Sequence, residues 1–471
     1  MENTSLARFM SGIWDGEIVP TLTDYIRIPN KSPMFDPDWE KHGHMAKVVA
    51  LFENWARAKI KNLSGATLEV VKVAGRTPLI LIEVPGKADG TVLMYGHLDK
   101  QPEMTGWAEG MGAWTPVLKG DKLYGRGGAD DGYAMFAAIS SLLALQEQNI
   151  DHARAVIAIE AGEESGSPDL PFYIEHLAER IGTPDLIVCL DSGCGNYEQL
   201  WLTTSLRGIA AGKLTIRVLT EGVHSGDASG IVPSSFRILR MLLSRIEDEA
   251  SGTIKLEECF VTVPPDRMEQ ARAAASILGD EIFTKLPFAG ATKPMAQSRV
   301  EMILNRTWKP QLAVIGMEGY PATAQAGNVL LPTTVAKLSL RTPPTCDAPA
   351  VVKVLQRVLE TDPPYGAEVT FEAEAGQSGW NAPSLAPWLE ASLNGASAAH
   401  FGKPVAYMGE GGSIPFMAML GEKFPKTQFV VTGVLGPGSN AHGPNEFLHI
   451  PFAKKLSACI ADVLVDHAKR R

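Results

Sequence analysis

Cysteine is scarce in this sequence, and its spacing is uninformative for metal binding. The chain has five cysteines in 471 residues, and no CxxC pair occurs. An odd and small number of cysteines argues against a disulfide framework and favours reduced thiols in a cytoplasmic protein. Cys189 and Cys194 are weak candidates for metal ligands, because Cys189 lies inside an apolar segment typical of a buried strand.

Positive charge and long apolar segments are also limited. Lysine and arginine total 43 against 53 acidic residues, so the formal net charge is −10. This balance argues against nucleic acid or an anionic membrane surface as the main partner. No window offers about eighteen uninterrupted apolar residues, so no transmembrane helix is expected. The first twenty residues lack a basic segment followed by an apolar one, so no secretory signal is expected either.

Core-forming residues, in contrast, are plentiful. Hydrophobic residues make up 45% of a chain that is too long for one compact core, so two domains are expected. Four short, nearly continuous apolar segments are typical of parallel strands covered on both faces. These segments are 79–84, 91–99, 155–161 and 186–191. A helix predicted at 131–149 lies among them, and this alternation indicates an α/β fold with a largely parallel sheet.

The middle of the chain has a different pattern. Residues 210–220 alternate between apolar and polar, as in a half-exposed antiparallel strand. The elements predicted after it are a helix at 234–250, a strand at 334–342, a helix at 348–360 and a strand at 368–375. A helix near 382–401 and a buried strand at 428–434 then return to the first pattern. Residues 251–325 give no chemical signal. We therefore predict a main domain of residues 1–207 and 379–471, interrupted by a small α+β domain at 208–378.

Acids or a histidine follow each predicted strand of the main domain. They are His97 and Asp99, Asp130 and Asp131 before the helix, Glu163 and Glu164, Asp191, and His442 in a Gly/Pro/Asn loop. In open α/β sheets, ligands bind outside the carboxyl ends of the strands. We expect these side chains to meet at that edge.

Each of these residues also has an ordinary structural explanation. A single histidine after a strand is commonly a hydrogen-bonding group, and Asp130 or Asp131 could cap a helix or favour its dipole. Glu163 and Glu164 could form a solvated turn, and Asp191 could start another. Together, however, these residues would gather uncompensated negative charge at one sheet edge. Divalent cations would remove that cost.

The residue types favour a metal-assisted hydrolase. Two histidines and three acids form two metal sites if one acid bridges, and imidazole and carboxylate suit Zn²⁺, with Mn²⁺ or Co²⁺ as substitutes. Such metals polarise a carbonyl and acidify water, and a spare carboxylate takes the proton. The pair Glu163–Glu164 therefore predicts one metal ligand and one general base.

Five motifs in order resemble a known family. They are "MYGHLDKQPE", "YGRGGADDGYA", "EAGEESGSPDL", "CLDSG" and "NAHGPNE", spread between about residues 90 and 450. This set is similar to that of the dinuclear zinc metallopeptidases that include carnosinases, cytosolic nonspecific dipeptidases, aminoacylases and carboxypeptidase G. "GVHSGD", "KLSLR" and "GEGGSIP" resemble the carnosinase and dipeptidase branch most. The resemblance implies a zinc-exopeptidase-like sheet with an inserted ferredoxin-like lid.

The resemblance also implies roles at the metal centre. His97 and Asp191 would bind one metal ion, Glu164 and His442 would bind the other, and Asp130 would bridge the two. Glu163 would be the general base. Asp99 would orient the imidazole of the metal-binding histidine, a role with a clear physical basis.

Substrate-binding roles follow from the same resemblance. His224 would polarise the scissile carbonyl and stabilise its oxyanion, and Asn328 would help to hold the substrate. Arg341 would clamp the free carboxylate of the substrate. Gly412 and Ser413 would donate hydrogen bonds to the same group. The chain departs from the family at Gly162, where a third acid is common, and at Asp227, where many relatives are apolar or small.

A homodimer through the lid is expected as well. The strand at 210–220 is predicted at the edge of the lid sheet, where it could pair with a second copy. His224 would then act on the active site of the neighbouring subunit.

Three functions remain possible from the sequence. The leading one is a zinc-dependent dipeptidase or short-peptide exopeptidase. A second is an N-acyl or N-carbamoyl amino acid hydrolase of the same architecture, since it needs the same metals, base and carboxylate clamp. The third is a non-catalytic binding protein, which a missing ligand or base would indicate; none is missing.

Overall fold

The computed structural model describes residues 3–470, which form eighteen strands and sixteen α-helices. Residues 1, 2 and 471, at the outer ends of the predicted main domain, lie outside the described residues. The strands are β1 Thr67–Val71, β2 Leu79–Val84, β3 Ala88–His97, β4 Val117–Lys119, β5 Lys122–Tyr124, β6 Ala153–Glu160, β7 Leu186–Cys189, β8 Trp201–Leu206, β9 Gly208–Arg217, β10 Val223–His224, β11 Gln311–Glu318, β12 Val329–Leu330, β13 Thr333–Thr342, β14 Glu368–Ala373, β15 Trp380–Asn381, β16 Ala406–Glu410, β17 Gln428–Val431 and β18 Phe447–His449.

The helices complete the list of elements. They are α1 Asn3–Ile13, α2 Val19–Ile26, α3 Trp39–His42, α4 His44–Ile60, α5 Ala134–Glu147, α6 Leu170–His176, α7 Ala178–Ile181, α8 Ser225–Ala228, α9 Ser235–Ile246, α10 Pro265–Leu278, α11 Glu281–Thr284, α12 Arg299–Thr307, α13 Ala348–Glu360, α14 Pro387–Phe401, α15 Pro415–Lys423 and α16 Ile450–Lys469. Two π-helical turns, Trp14–Ile18 and Gly128–Gly132, and four 3₁₀ turns add to them. The 3₁₀ turns are Glu163–Ser165, Glu257–Cys259, Thr323–Gln325 and Pro364–Gly366. Among the described residues, no helix combines the length and apolar character needed to cross a membrane.

A six-stranded sheet carries the main domain. Its order is β1–β2–β6–β3–β7–β17, and β6, β3, β7 and β17 are parallel. The predicted α/β fold with a mostly parallel sheet is therefore confirmed. The direction expected for the strand at 79–84 is wrong, because β2 is antiparallel to β6. Only residues 85–87 separate β2 from β3, too few for a crossover connection between parallel strands.

Alternate residues of β3 face opposite layers, as the pleat of a strand requires. Val92 and Met94 belong to the large core that includes residues of α5 and α16. Leu93 and Tyr95 belong to a second core that includes residues of α6 and α15. The sheet is therefore covered on both faces, which explains the continuous apolar character of its strands.

Helix α5 occupies the interior of the large core. Every residue from Ala134 to Leu145 is buried, which explains why the segment is apolar on all sides. Tyr133 holds the N-cap position, and Asp130 lies in the π-helical turn before it. The alternative in which Asp130 caps this helix is therefore wrong.

The smaller sheet has the order β11–β13–β9–β14 and is antiparallel throughout. Helices α9 and α13 contribute buried residues to its core, giving the strand order of a ferredoxin-like fold. Strand β11 lies within 251–325, a region for which no element was predicted. Strand β9 lies between β13 and β14, so the prediction that 210–220 forms the sheet edge is wrong. The edges are β11 and β14.

Part of the predicted insertion packs on the main domain. Helices α10 and α12 contact β16, and their residues Ala271, Ala275 and Ile303 belong to the large core. The chain therefore returns to the main domain between α9 and β11. The boundaries at 207/208 and 378/379 stay predictions. The segment between them includes α10 and α12, which pack on the main domain.

Candidate metal centre

Three neighbouring parallel strands end at the same edge of the large sheet. His97 is the last residue of β3, and the 3₁₀ turn with Glu163 and Glu164 follows β6. Asp191 comes two residues after β7. Asp130 reaches this edge from the turn before α5, and His442 from the loop between β17 and β18. Parallel strands have their carboxyl ends at the same edge of a sheet, which explains why residues so distant in sequence meet here.

Five of these six residues, all except Glu163, form two clusters that share one carboxylate. His97, Asp130 and Asp191 offer ligand atoms within 4.8 Å of one another, and so do Asp130, Glu164 and His442. In the first cluster, His97 Nε2 lies 3.4 Å from Asp130 Oδ1 and 3.8 Å from Asp191 Oδ1. In the second, His442 Nε2 lies 3.0 Å from Asp130 Oδ2 and 3.3 Å from Glu164 Oε2. Asp130 therefore belongs to both clusters and directs one oxygen to each histidine.

The donor set of both clusters fits divalent cations. The ring of His97 is buried, and neither of its nitrogens has a hydrogen-bond partner among the described residues. Unpaired buried polar atoms are costly, so a group that accepts the nitrogen lone pair would stabilise this arrangement. Imidazole with carboxylate oxygens is a ligand combination suited to zinc and related metals.

The acids of the two clusters are buried and lie close together, and this shifts the pKa values of the site residues. Burial and the charge of Asp191 raise the pKa of Glu163 well above its usual range. Burial, Asp130 and Glu163 do the same to the pKa of Glu164. Burial would lower the pKa of His97, but Asp191 and the other carboxylates raise it well above its usual value. Cations at these positions would relieve the repulsion between the acids.

The turn that carries the two glutamates is held by Asp99. The main-chain amides of Glu163 and Glu164 donate to the two oxygens of Asp99 at 3.1 and 3.0 Å. Asp99 Oδ1 also lies 3.5 Å from Nδ1 of His97. Its predicted contact with the imidazole is therefore long, whereas its contact with the glutamate turn is well formed.

The two glutamates face different surroundings. Glu164 accepts a hydrogen bond from Gln101 Nε2 at 2.6 Å and lies beside His442. Glu163 lines a cavity of about 250 Å³ that also contains Asp130, Asp191 and His442 in its wall. This difference supports a ligand position for Glu164 and a position next to the reacting groups for Glu163.

Two of the predicted carboxylate-binding residues line this cavity, and the third, Arg341, contacts one of them. Gly412 and Ser413 line it, and Arg341 Nη1 donates to Ser413 Oγ at 3.0 Å. The Ser413 hydroxyl in turn donates to the main-chain oxygen of Arg207 at 2.6 Å. Donation from Ser413 to a substrate carboxylate would therefore require this bond to be released.

Positively charged groups gather beside Gly411 and Ser413. Arg207 Nε donates to the main-chain oxygen of Gly411 at 3.0 Å. Burial and the nearby guanidinium groups of Arg341 and Arg306 lower the pKa of Arg207 to about 10. An anionic group of a substrate would be favoured here.

His224 and Asn328 lie together on the lid. His224 in β10 pairs with Val329 in β12, and the amide of Ser225 donates to the main-chain oxygen of Asn328 at 2.9 Å. Neither residue is in the wall of the cavity that contains Glu163. His224 is exposed. The structure therefore brings these two residues together, and neither belongs to the two clusters of metal-binding residues.

Sequence reasoning missed four residues around the site. Gln101 holds Glu164, Glu410 lines the cavity, and Arg126 with Glu446 supports the His442 loop. Each lies inside a sequence motif that also contains a predicted site residue. Membership in such a motif was therefore the signal that could have identified it. Their partners are far away in sequence, and no spacing rule connects them.

Comparisons with known proteins agree with this geometry. The sequence pattern of Peptidase family M20/M25/M40 matches residues 93–466. A cysteinylglycine-S-conjugate dipeptidase of Corynebacterium striatum is 26% identical over 95% of this chain and 98% of its own length. The human Beta-Ala-His dipeptidase is 27% identical over 73% of this chain and 69% of its own.

Two solved structures share the fold over the whole chain. Human carnosine dipeptidase 1 superposes with a TM-score of 0.80 at 22% identity, covering 100% of this chain and 99% of its own. The di-peptidase Dug1p of Saccharomyces cerevisiae superposes with a TM-score of 0.79 at 20% identity, with the same coverage. The chain belongs to Peptidase family M20/M25/M40. It is therefore a hydrolase that acts on peptide bonds.

Proposed function

We propose that this chain hydrolyses dipeptides with two metal ions held between His97, Asp130, Asp191, Glu164 and His442. The observation that carries the proposal is the position of Asp130, which offers one oxygen to each histidine. The names of the similar proteins, which are dipeptidases, support the substrate class. Zn²⁺ is the proposed metal, with Mn²⁺ or Co²⁺ as substitutes, because the ligands are imidazoles and carboxylates.

When bound, the metal ions would polarise the scissile carbonyl and make a water molecule more acidic. Glu163 is the general base in this proposal, because it lines the cavity and is not needed as a ligand. It takes the proton of the attacking water and passes it to the leaving amine. Asp99 fixes the turn that carries Glu163, since it accepts the main-chain amide of that residue.

The substrate is oriented by its two ends. We place its carboxylate at Arg341, Gly412 and Ser413, where the guanidinium groups of Arg207 and Arg306 add positive charge. A planar guanidinium suits the bidentate binding of a carboxylate. The scissile bond then lies towards Glu163, which lines the same cavity as Gly412 and Ser413.

The homodimer is also a proposal, and strand β11 supports it. This strand is an edge of the lid sheet, and Val314, Ile315 and Met317 are exposed along it. An exposed apolar edge strand is a template for pairing with another chain. A two-fold pairing would let His224 and Asn328 of each lid reach the metal centre of the other subunit, where His224 would stabilise the oxyanion.

The cytoplasmic location stays a proposal of the same kind. All five cysteines are free and buried. Thiols in this state are compatible with a reducing compartment.

The experiment that tests the function compares blocked and unblocked substrates. Metal-depleted and zinc-restored protein would be assayed with Ala-Ala, Cys-Gly and β-Ala-His, and with the N-acetyl and N-carbamoyl forms of single amino acids. Zinc-dependent turnover of the free dipeptides, and none of the N-blocked amino acids, is expected. Turnover of only the N-blocked compounds would replace the proposal with an amino acid amidohydrolase.

A further inference from the structure

The loop that carries His442 has little regular support of its own. It lies between β17 and β18, and Asn440, His442 and Asn445 have positive φ values of 54°, 64° and 61°. Residues other than glycine rarely adopt positive φ values, and a backbone conformation of this kind costs free energy. The side chain of His442 is 56% exposed, whereas that of His97 is fully buried. Something outside the loop must therefore hold His442 in place.

Arg126 supplies this support from a fully buried position. It is 1% exposed, and its Nη2 donates to the main-chain oxygens of His442 at 3.0 Å and Gly443 at 2.9 Å. Its Nη1 donates to Glu446 Oε2 at 2.6 Å. A guanidinium has five donors in a rigid fork, so it can bind several carbonyls of one loop at once.

Glu446 completes the contact from the end of the same loop. It is fully buried, and its Oε1 accepts the main-chain amide of Gly127 at 2.9 Å. The amide of Gly125 donates to its main-chain oxygen at 3.0 Å. The segment around Arg126 is thus bonded to the loop by both main chain and side chain.

Arg126 also contacts the segment that holds the other ligand of this cluster. Its Nε donates to the main-chain oxygen of Pro102 at 3.2 Å, and the preceding residue, Gln101, donates to Glu164. His97 and Asp191, in contrast, are placed by β3 and β7. Among the described residues, the side-chain hydrogen bonds of Arg126 go to Pro102, His442, Gly443 and Glu446, and not to either of them. Support by Arg126 is therefore concentrated on the cluster of Asp130, Glu164 and His442.

We propose that the buried pair Arg126–Glu446 is a positioning device that sets the metal affinity of the cluster Asp130–Glu164–His442 selectively. This inference rests on the proposed two-metal function. The pair acts through the main chain of His442, so that the imidazole is held over Asp130 and Glu164 before a metal ion binds. The cluster with His97 and Asp191 depends on it much less.

The test measures metal binding directly. Zinc would be titrated into metal-depleted wild-type, Arg126→Lys and Glu446→Gln protein against a chromophoric chelator, with bound zinc counted by elemental analysis. Arg126→Lys keeps the charge but loses the fork, and Glu446→Gln keeps the shape but loses the charge. Arg267→Lys is the matched control, because Arg267 is also buried and donates to a main-chain oxygen, that of Ala382.

The expected result is a selective change. The zinc ion at the cluster Asp130–Glu164–His442 should bind about tenfold to a hundredfold more weakly in both variants, as for other groups that orient metal ligands. The other zinc ion should bind as in wild type. Arg267→Lys protein should bind both ions as wild type does. At limiting zinc, kcat should fall with little change in KM, and excess zinc should restore it.

Other outcomes have distinct meanings. Equal weakening of both ions, or no weakening in a folded Arg126→Lys protein, would overturn the positioning role. If Arg126→Lys does not fold, Glu446→Gln decides by the same criteria. A wild-type protein that binds one zinc ion, or that hydrolyses no dipeptide, would instead overturn the proposed function.

Discussion

His442 Nε2 lies 3.0 Å from Oδ2 of Asp130. The other oxygen of Asp130, Oδ1, faces His97 at 3.4 Å. Burial would raise the pKa of Asp130, but His442 and His97 lower it, so this carboxylate stays ionised. An ionised carboxylate with one oxygen directed to each histidine has the geometry needed to join two metal sites.

The first prediction concerns metal stoichiometry. Active protein should contain two divalent ions per chain, as in other two-metal hydrolases. Asp130→Asn should lower the content of both ions, because it weakens a ligand that both clusters share. Elemental analysis after gel filtration checks this, with the exposed Asp121→Asn as control. A wild-type content of one tightly held ion would contradict the bridging role.

The second prediction separates the two glutamates. Glu163→Gln should retain both ions and lose turnover by about 10²–10⁴-fold, because it removes a proton acceptor without removing a ligand. Glu164→Gln should lose turnover and should also bind more weakly the ion that Glu164 would hold together with Asp130 and His442. Metal content and kcat of both variants are the measurements. Equal metal content together with equal loss of activity would disprove this division of roles.

The third prediction concerns the partner subunit. His224→Ala should lower kcat by about 10²–10³-fold, as removal of an oxyanion donor does elsewhere. Mixing His224→Ala chains with Glu163→Gln chains should restore activity, because one of the two sites in each heterodimer then has both groups. Activity would be followed while subunits exchange. Heterodimers that form but stay inactive would show that His224 has no role across the interface.

The fourth prediction concerns stability against pH. Glu160 is buried, accepts hydrogen bonds from Tyr95 at 2.5 Å and Ser167 at 2.8 Å, and has its pKa raised to about 8, mainly by burial. The folded chain therefore binds this proton more tightly than the unfolded chain, whose pKa is near 4.5. The stabilising contribution is present below pH 4.5 and is lost as the pH rises towards 8.

Glu160→Gln should remove this dependence. In metal-depleted protein, the variant should gain about 2–5 kcal/mol in the free energy of unfolding relative to wild type between pH 5 and pH 9. Denaturant unfolding across that range measures the gain, and the exposed Glu147→Gln is the control. A constant difference between variant and wild type at all pH values would show that Glu160 does not titrate in this window.

Local patterns in the sequence were sufficient for several elements. Continuous apolar segments predicted β3, β6 and β7, and the alternating pattern predicted β9, because burial on one or both faces imposes these periodicities. The strand direction of β2 and the central place of β9 were not accessible in this way. Strand order and direction depend on connection lengths and on packing between distant segments, which periodicity does not record.

The sequence by itself determined the chemistry of the candidate site. The residue types after each strand, together with the rule that ligands bind at the carboxyl ends of parallel strands, were enough to gather His97, Glu163, Glu164 and Asp191. Only the tertiary structure decided which groups support them. Asp99 holds the glutamate turn, Gln101 holds Glu164, and Arg126 with Glu446 holds the His442 loop. These contacts join main-chain and side-chain atoms as far as 320 residues apart, and they form only when the sheet and its loops have packed.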